Sequence, residues 1–276
     1  MSVDVEEWFQ VQAFADVIDR REWSKLESRV EASTDRVLES FARADVRATF
    51  FVLGWVAERH PELVLRIAAA GHEVASHGYG HERVDVIGEA AFRRDIRRAK
   101  SILEGITGTP ILGYRAPTFS ISARETPWAH RVLREEGHGY SSSVFPIRHD
   151  AYGSAEAEVV PHWPCPDGVV ELPMTILPAL GRNLPCSGGG WFRLAPYWLF
   201  RAGLRRVNHV HGRQGIFYFH PWELDPGQPR VTTAGSRAAF RHYTRQRSMA
   251  RRMERLLSDF AWGRMDALHA SLLATA

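Results

Sequence analysis

Ala48-Thr49-Phe50-Phe51-Val52-Leu53-Gly54 is a run of β-branched and aromatic residues closed by glycine, and it reads as a strand buried on both faces. The next two segments decide the fold. Residues 62–70 form a helix that opens after Pro61 and stops at Gly71, proline and glycine standing at the ends where each is favoured. His72-Glu73-Val74-Ala75-Ser76-His77 then returns to strand. Upstream, a short strand opens the chain, and a helix over 34–44 carries Val37, Leu38 and Phe41 on one face, with Ser33 or Thr34 as its N-cap.

Downstream the alternation continues. Phe92, Ile96, Ala99, Leu103 and Ile106 recur at helical spacing over 89–107, and Gly108 with Pro110 ends that helix. Residues 111–116 read as strand, 124–136 as helix and 140–145 as strand. Between 146 and 196 the chain is rich in Gly and Pro and reads as mostly irregular, with strands at 169–172 and, further on, 215–219. The last fifty residues read as helical. Repeated strand and helix alternation predicts an α/β fold with a parallel sheet closed into a (β/α) barrel.

At 276 residues and 45% apolar composition the chain suits one domain. No stretch reaches the roughly 18 uninterrupted apolar residues of a membrane span. The opening Met1-Ser2-Val3-Asp4-Val5-Glu6-Glu7-Trp8 has no charged leader or apolar core of a signal peptide, so the expected location is cytoplasmic, with the inner membrane face as a second station. Cys165 and Cys186 lack metal-site spacing and are expected as two unpaired thiols. A net charge of +3 is too small to argue for nucleic acid. The arginine-dense stretches 93–100 and 237–255 are expected to be solvated helix faces, the alternative being a surface for anionic glycan or lipid head groups.

Four places could carry chemistry. Ser76-His77-Gly78-Tyr79-Gly80-His81 comes directly after a strand, and its glycines predict a tight turn that aims both imidazoles inward, an arrangement suited to zinc or a similar ion. Asp4 and Glu6 lie two apart in the first strand, so alternation puts both carboxylates on one face, with Val5 and Glu7 on the other. A cation would relieve their repulsion, holding one carboxylate and leaving the other as a base. Gly113-Tyr114-Arg115-Ala116-Pro117 sets an arginine at a third strand end, where it could keep a catalytic carboxylate ionised. Phe217-Tyr218-Phe219-His220-Pro221-Trp222-Glu223 sets a histidine after an aromatic strand, in the place of a general acid.

In this order the motifs resemble the polysaccharide deacetylases of carbohydrate esterase family 4, which share the chitooligosaccharide deacetylase homology domain. The Asp4-Val5-Glu6 opening and the late His220-Pro221-Trp222-Glu223 segment are similar to the branch found with exosortase and exopolysaccharide loci. The resemblance implies a distorted (β/α)7 TIM-like barrel over about 1–225, with a mainly helical C-terminal extension over about 226–276, the whole forming a single domain. Ser187-Gly188-Gly189-Gly190-Trp191-Phe192-Arg193 looks like part of that branch's extra region, with no role implied.

By the same resemblance Asp4 is the catalytic base, Arg115 orients it, His220 is the general acid, and His77 and His81 are metal ligands. The family mostly has two adjacent Asp residues at the first motif; here strand alternation makes Glu6 the third ligand. Tyr114, Pro117, Glu171 and Trp222 are assigned to substrate contact, with Glu171 in the place of a further pocket motif. The implied activity is metal-dependent, zinc being the expected ion, and removes acetyl groups from an N-acetylated glycan in exopolysaccharide biosynthesis. Two alternatives are an amidase for allantoin-like or cyclic imide substrates, which would have a closed pocket, and a non-catalytic carbohydrate-binding protein. A glycan enzyme would instead have an open aromatic groove, which Trp163, Trp191 and Trp222 could furnish.

Overall fold

The computed structural model describes residues 1–149, 152–179 and 181–275. Nine strands are present among them: β1 (Ser2–Val5), β2 (Thr49–Val52), β3 (Glu73–Ser76), β4 (Gly113–Tyr114), β5 (Tyr140–Ser141), β6 (Val170–Glu171), β7 (Ile176–Ala179), β8 (Arg182–Pro185) and β9 (Tyr218–Phe219). Seven of them build one sheet in the order β6-β5-β4-β3-β2-β1-β9, every pairing parallel. The end strands β6 and β9 are not hydrogen-bonded to each other among the described residues. The fold is therefore the expected distorted (β/α)7 barrel, open along one seam.

The register explains which side chains reach the interior. Asp4 pairs with Phe51 and Phe51 with Ala75, so these three share a level and a face. Val3, Val5, Phe50 and Val52 point the other way, into the apolar layer beneath the helices. Strand alternation thus leaves Asp4 inside the barrel. Glu6 lies one residue beyond β1 and is 1% exposed.

The helices between strands are α1 (Val30–Arg43), α2 (Gly54–Arg59), α3 (Pro61–Ala69), α4 (Val84–Thr107) and α5 (Ala129–Glu135). Beyond β6 come α6 (Gly189–Leu194), α7 (Tyr197–His209), α8 (Ser236–Tyr243), α9 (Gln246–Asp259) and α10 (Met265–Thr275), the last three forming the expected helical C-terminal region. Gly88, at φ +74°, breaks α4, so its regular part begins where the hydrophobic spacing placed it. No helix among the described residues is long and apolar enough to cross a membrane.

Several local expectations are corrected. The first helix starts at Val30, four residues before the expected start, because its N-cap is supplied from far away in sequence. The Glu7 carboxylate accepts the Arg29 amide at 3.0 Å, which leaves Ser33 and Thr34 buried inside the first turns. The stretch expected to be irregular carries an antiparallel pair, β7 with β8, in spite of Pro178 and Pro185. The strand at 111–116 shrinks to two residues, although the Arg115 amide still reaches the Ser76 carbonyl at 2.9 Å. Both cysteines are unpaired, as expected. The 93–100 arginines bridge α4 to α5 and α2: Arg93 meets Glu135 at 2.6 Å, Arg97 meets Glu136 at 2.7 Å and Arg98 meets Glu58 at 3.2 Å.

Candidate active site

The loop after β3 is held from both sides. Backbone amides at the start of α2 bond its carbonyls, Gly54 to Gly78 at 2.8 Å and Trp55 to Tyr79 at 3.0 Å. Asp95 of α4 accepts the amides of Tyr79 at 2.9 Å and Gly80 at 3.2 Å. Gly78 sits at φ +74°, and a Cβ there would lie 2.6 Å from the Asp95 carboxylate. His81 itself adopts φ 52°, a left-handed conformation that costs a residue with a Cβ about 1 kcal/mol or more. Arg20 clamps it by donating to the His81 carbonyl at 2.8 Å. Strain in His81 is thus balanced by bonds to the turn on either side, and the turn delivers both imidazoles to one point.

At that point Glu6, His77 and His81 bring their ligand atoms within 4.8 Å of one another, and all three residues are buried. His77 Nδ1 lies 2.8 Å from the Arg115 carbonyl, which can only accept, so Nδ1 carries the proton and Nε2 is left with its lone pair. Burial keeps the ring neutral, pushing its pKa down to about 4. Burial also opposes the charge on Glu6, but His81, His220 and His77 outweigh it and hold its pKa at about 2. Glu6 Oε2 approaches His81 Nε2 at 2.9 Å yet makes no properly directed hydrogen bond, and it is buried. A buried carboxylate oxygen and two imidazoles gathered at one point fit ligands of one ion. The donor set of two imidazoles and one carboxylate suits zinc.

Asp4 lies deeper. Its Oδ1 accepts from Arg115 Nη1 at 2.7 Å, and the guanidinium, fully buried, also donates to the Ser2 hydroxyl at 2.9 Å, the Ser142 carbonyl at 3.0 Å and the Ser142 hydroxyl at 3.0 Å. Such complete pairing is what a buried cation requires. Directly after β9, His220 places Nε2 at 3.6 Å from Glu6 Oε1, while its Nδ1 lies 3.0 Å from Glu223. Burial lowers the His220 pKa, but the Glu6 and Glu223 carboxylates more than reverse this and raise it to about 9. The Trp222 indole donates to Glu6 at 3.2 Å and stacks between His220, at 4.9 Å, and His242, at 4.2 Å.

Asp4, Glu6, His77, His81, His220 and Trp222 all line one well of about 140 Å³. It joins a larger cavity of about 710 Å³ through shared walls at Tyr152, Tyr218, His220 and Trp222. Trp191 lines the larger cavity; Trp163 does not, and is 45% exposed elsewhere.

Three residues expected at the substrate are not brought to either cavity. Tyr114 packs its buried ring against Phe92 and His138. Pro117 is buried at the start of a 3₁₀ turn (Pro117–Phe119), where its carbonyl accepts the Ser120 hydroxyl at 2.7 Å; its neighbours Thr118 and Phe119, both at positive φ, reach the well instead. Glu171 is wholly buried, facing His130 at 2.9 Å and accepting the amides of Ser143 at 2.7 Å and Val144 at 2.9 Å. It steadies the loop whose Ser142 grips Arg115, so it acts two links away from Asp4.

The sequence also concealed residues that shape the site. Asp95 has no motif of its own, and only the helical spacing of α4 could have turned it toward the loop. Arg193 lies in a stretch with no assigned role, yet it is 2% exposed and donates to Glu223 at 2.7 Å and to the carbonyls of His242 and Arg241, both at 3.0 Å. Its local signal was the preceding glycine run: a Cβ on Gly189 would fall 2.2 Å from the Glu223 carboxylate.

The chain is similar to known proteins in two regions. Residues 23–132 match the polysaccharide deacetylase family, and residues 142–270 match a domain of unknown function (DUF3473). A chitooligosaccharide deacetylase of Sinorhizobium fredii is 43% identical over 111 residues, covering 40% of this chain and 49% of that protein. A peptidoglycan-N-acetylglucosamine deacetylase of Bacillus cereus is 33% identical over 96 residues, 35% of each chain. The matched stretches therefore span from a third to a half of these relatives. The crystal structure of a putative polysaccharide deacetylase from Mycobacterium smegmatis superposes with a TM-score of 0.62 at 22% identity, covering 100% of this chain and 89% of that one, which is a likeness of fold.

Proposed function

Because residues 23–132 match the polysaccharide deacetylase family, we propose that the protein is a zinc-dependent N-deacetylase that removes acetyl groups from N-acetylated amino sugars of a polysaccharide, of the exopolysaccharide kind. The observation that carries the reading is the gathering of Glu6, His77 and His81 as one ligand set in the same well as Asp4 and His220. Those residues come from both sides of the boundary between the two matched regions, which supports treating 1–276 as one catalytic unit.

Glu6, His77 and His81 would hold the ion, which when bound polarises an acetamide carbonyl and makes a water more acidic. Asp4 takes the proton of the attacking water. Its lone pairs are directed by Arg115, which occupies one carboxylate oxygen and so fixes the orientation of the other. His220, charged near neutral pH because two carboxylates face it, gives its proton to the departing nitrogen, without which an amine anion would have to leave. Glu223 and Arg193 fix the His220 ring. Tyr218 and Trp222 close the well around the acetyl group.

The test is acetate release from N-acetylglucosamine oligomers of several lengths, with and without a chelator, alongside metal analysis of the purified protein. Chelator-sensitive release that improves with oligomer length is expected, with about one zinc per chain. Release indifferent to chelator, or no release from a zinc-loaded and folded protein, overturns the reading.

A further inference from the structure

α7 presents two unlike sides. Phe200, Leu204 and Val207 on one of them are buried. Trp198, Ala202, Arg205 and His209, spaced at four, three and four, share the opposite side and are all exposed, with Leu199 and Arg206 beside them. Trp198 is 70% exposed and Leu199 52%, and none of the nine tryptophans is as open to solvent. Covering this pair would take a large apolar area out of water, which is favourable. The charges around it have one sign. Between Glu171 and Glu223 the chain has no acidic residue. Among the described residues Arg205 and Arg206 form no ion pair, because Asp259, the acid next to α7, is met by Arg201 at 2.8 Å and by the Tyr197 hydroxyl. Those two contacts also join α7 to α9. Phe200 and Leu204 share one apolar layer with Met249, Met253 and Leu256 of α9, so the outer sides of both helices turn to solvent together. There α9 exposes Arg247 and Arg251, likewise without an ion pair among the described residues, and Glu254 is its one exposed acid.

From this pairing of exposed apolar rings and unmatched arginines we infer that the outer side of α7, with α9 beside it, docks on a lipid bilayer that carries anionic head groups. Trp198 and Leu199 enter the interfacial layer, where an indole keeps its ring in apolar surroundings and its N–H wet. Arg205, Arg206, Arg247 and Arg251 face the head-group phosphates, a use to which guanidinium is suited. The outer surface of a helix is convex, so a flat, fluid partner fits it better than a sugar chain, for which the cavity beside the well provides a groove. Other arginines are already engaged. Arg245 and Arg252 donate to the carbonyls of Leu194 and Ala195, at 3.0 and 2.6 Å, fastening α9 to the end of α6, and Arg93, Arg97 and Arg98 bridge helices. The inference goes beyond the deacetylase reading and does not depend on it. Leu194 lines the larger cavity and α7 begins three residues later, so a docked protein holds that cavity close to the bilayer.

The experiment is co-sedimentation of the full chain with vesicles of phosphatidylcholine alone, or of phosphatidylcholine with about 30% phosphatidylglycerol. Binding to the anionic vesicles is expected to be tighter by about tenfold or more, a gain that shrinks in high salt. Arg205→Gln with Arg206→Gln should weaken it by about tenfold or more, while the melting temperature stays as in the parent because both side chains are exposed. Vesicles brominated in their acyl chains should quench the fluorescence of the bound parent, and Trp198→Phe should lose most of that quenching. Equal binding to neutral and anionic vesicles, or affinity and quenching indifferent to these substitutions, overturns the inference. Two other occupants are read in the same series. Self-association without vesicle binding, abolished by Trp198→Ala with Leu199→Ala, assigns the face to a second copy of the chain and overturns the bilayer. Binding to soluble dextran sulfate as tight as to anionic vesicles, with no quenching by brominated lipid, marks a surface for polyanions and overturns it as well.

Discussion

Arg193 donates to one oxygen of Glu223 at 2.7 Å, and the other oxygen of that carboxylate faces His220 Nδ1 at 3.0 Å. All three residues lie in the region matched only to a domain of unknown function, while the ligand set lies outside it. The region thus supplies His220, the contacts that orient it and much of the wall of the larger cavity.

Replacing Glu223 with Gln should lower kcat by about 10- to 100-fold, the usual cost of losing a partner that orients a functional histidine. Zinc content and KM should remain close to the parent. Steady-state kinetics with metal analysis checks this; an unchanged kcat would show that His220 needs no such partner.

Asp4→Asn should reduce kcat by at least about 10²-fold, since general-base catalysis is typically worth 10²–10⁴. Zinc should still bind, because Asp4 is outside the ligand set. Arg115→Met should act differently. It leaves Asp4 buried without its cation and should cost roughly 3–5 kcal/mol of stability, read as a lower denaturant midpoint.

Asp95→Ala removes the acceptor of two loop amides and should weaken zinc binding by about tenfold, measured by competition with a chromophoric chelator. Gly78→Ala should also destabilise the protein, because φ +74° disfavours any side chain and the new Cβ meets Asp95. A Gly78→Ala protein of parental stability and zinc affinity would mean the loop is not held as described.

Two buried histidines outside the ligand set predict an acid weakness. Burial pulls His138 and His242 down to about 3 from the ordinary 6.5. Folding therefore favours their neutral forms, a contribution complete above pH 6.5 and lost as pH falls toward 3. Between pH 6.5 and pH 5 each should cost roughly 2 kcal/mol. Urea unfolding at pH 7.5 and pH 5.0 reads the sum, and His138→Gln should flatten the slope; equal midpoints at both pH values would refute the assignment.

The sequence was most legible where function and regular structure coincide. Alternation in β1 put Asp4 inside with Glu6 just beyond it, and the glycines at 78 and 80 announced a turn rather than a helix. Both signals are local. The cap of α1 was not, since Glu7 accepts from Arg29 across 22 residues. Glu171 misled for the opposite reason: its place in the order of motifs suggested a pocket, but two backbone amides and His130 consume its oxygens. Asp95 and Arg193 act through contacts distant in sequence, at which helical spacing and a glycine run only hinted, and the pairing of β7 with β8 hid behind its prolines.

The pairing of β1 with β9 has a consequence for how the chain is made. Ser2 bonds the carbonyl of Phe217, 215 residues away, so on the ribosome β1 waits for its second neighbour until those residues have been made. Until then one edge of β1 is bare, and such an edge invites pairing with another nascent chain. Asp4 within the strand and Glu6 just beyond it keep the waiting segment charged. The same two carboxylates would then serve first as guards against misassembly and only later, once His220 arrives, as parts of an enzyme.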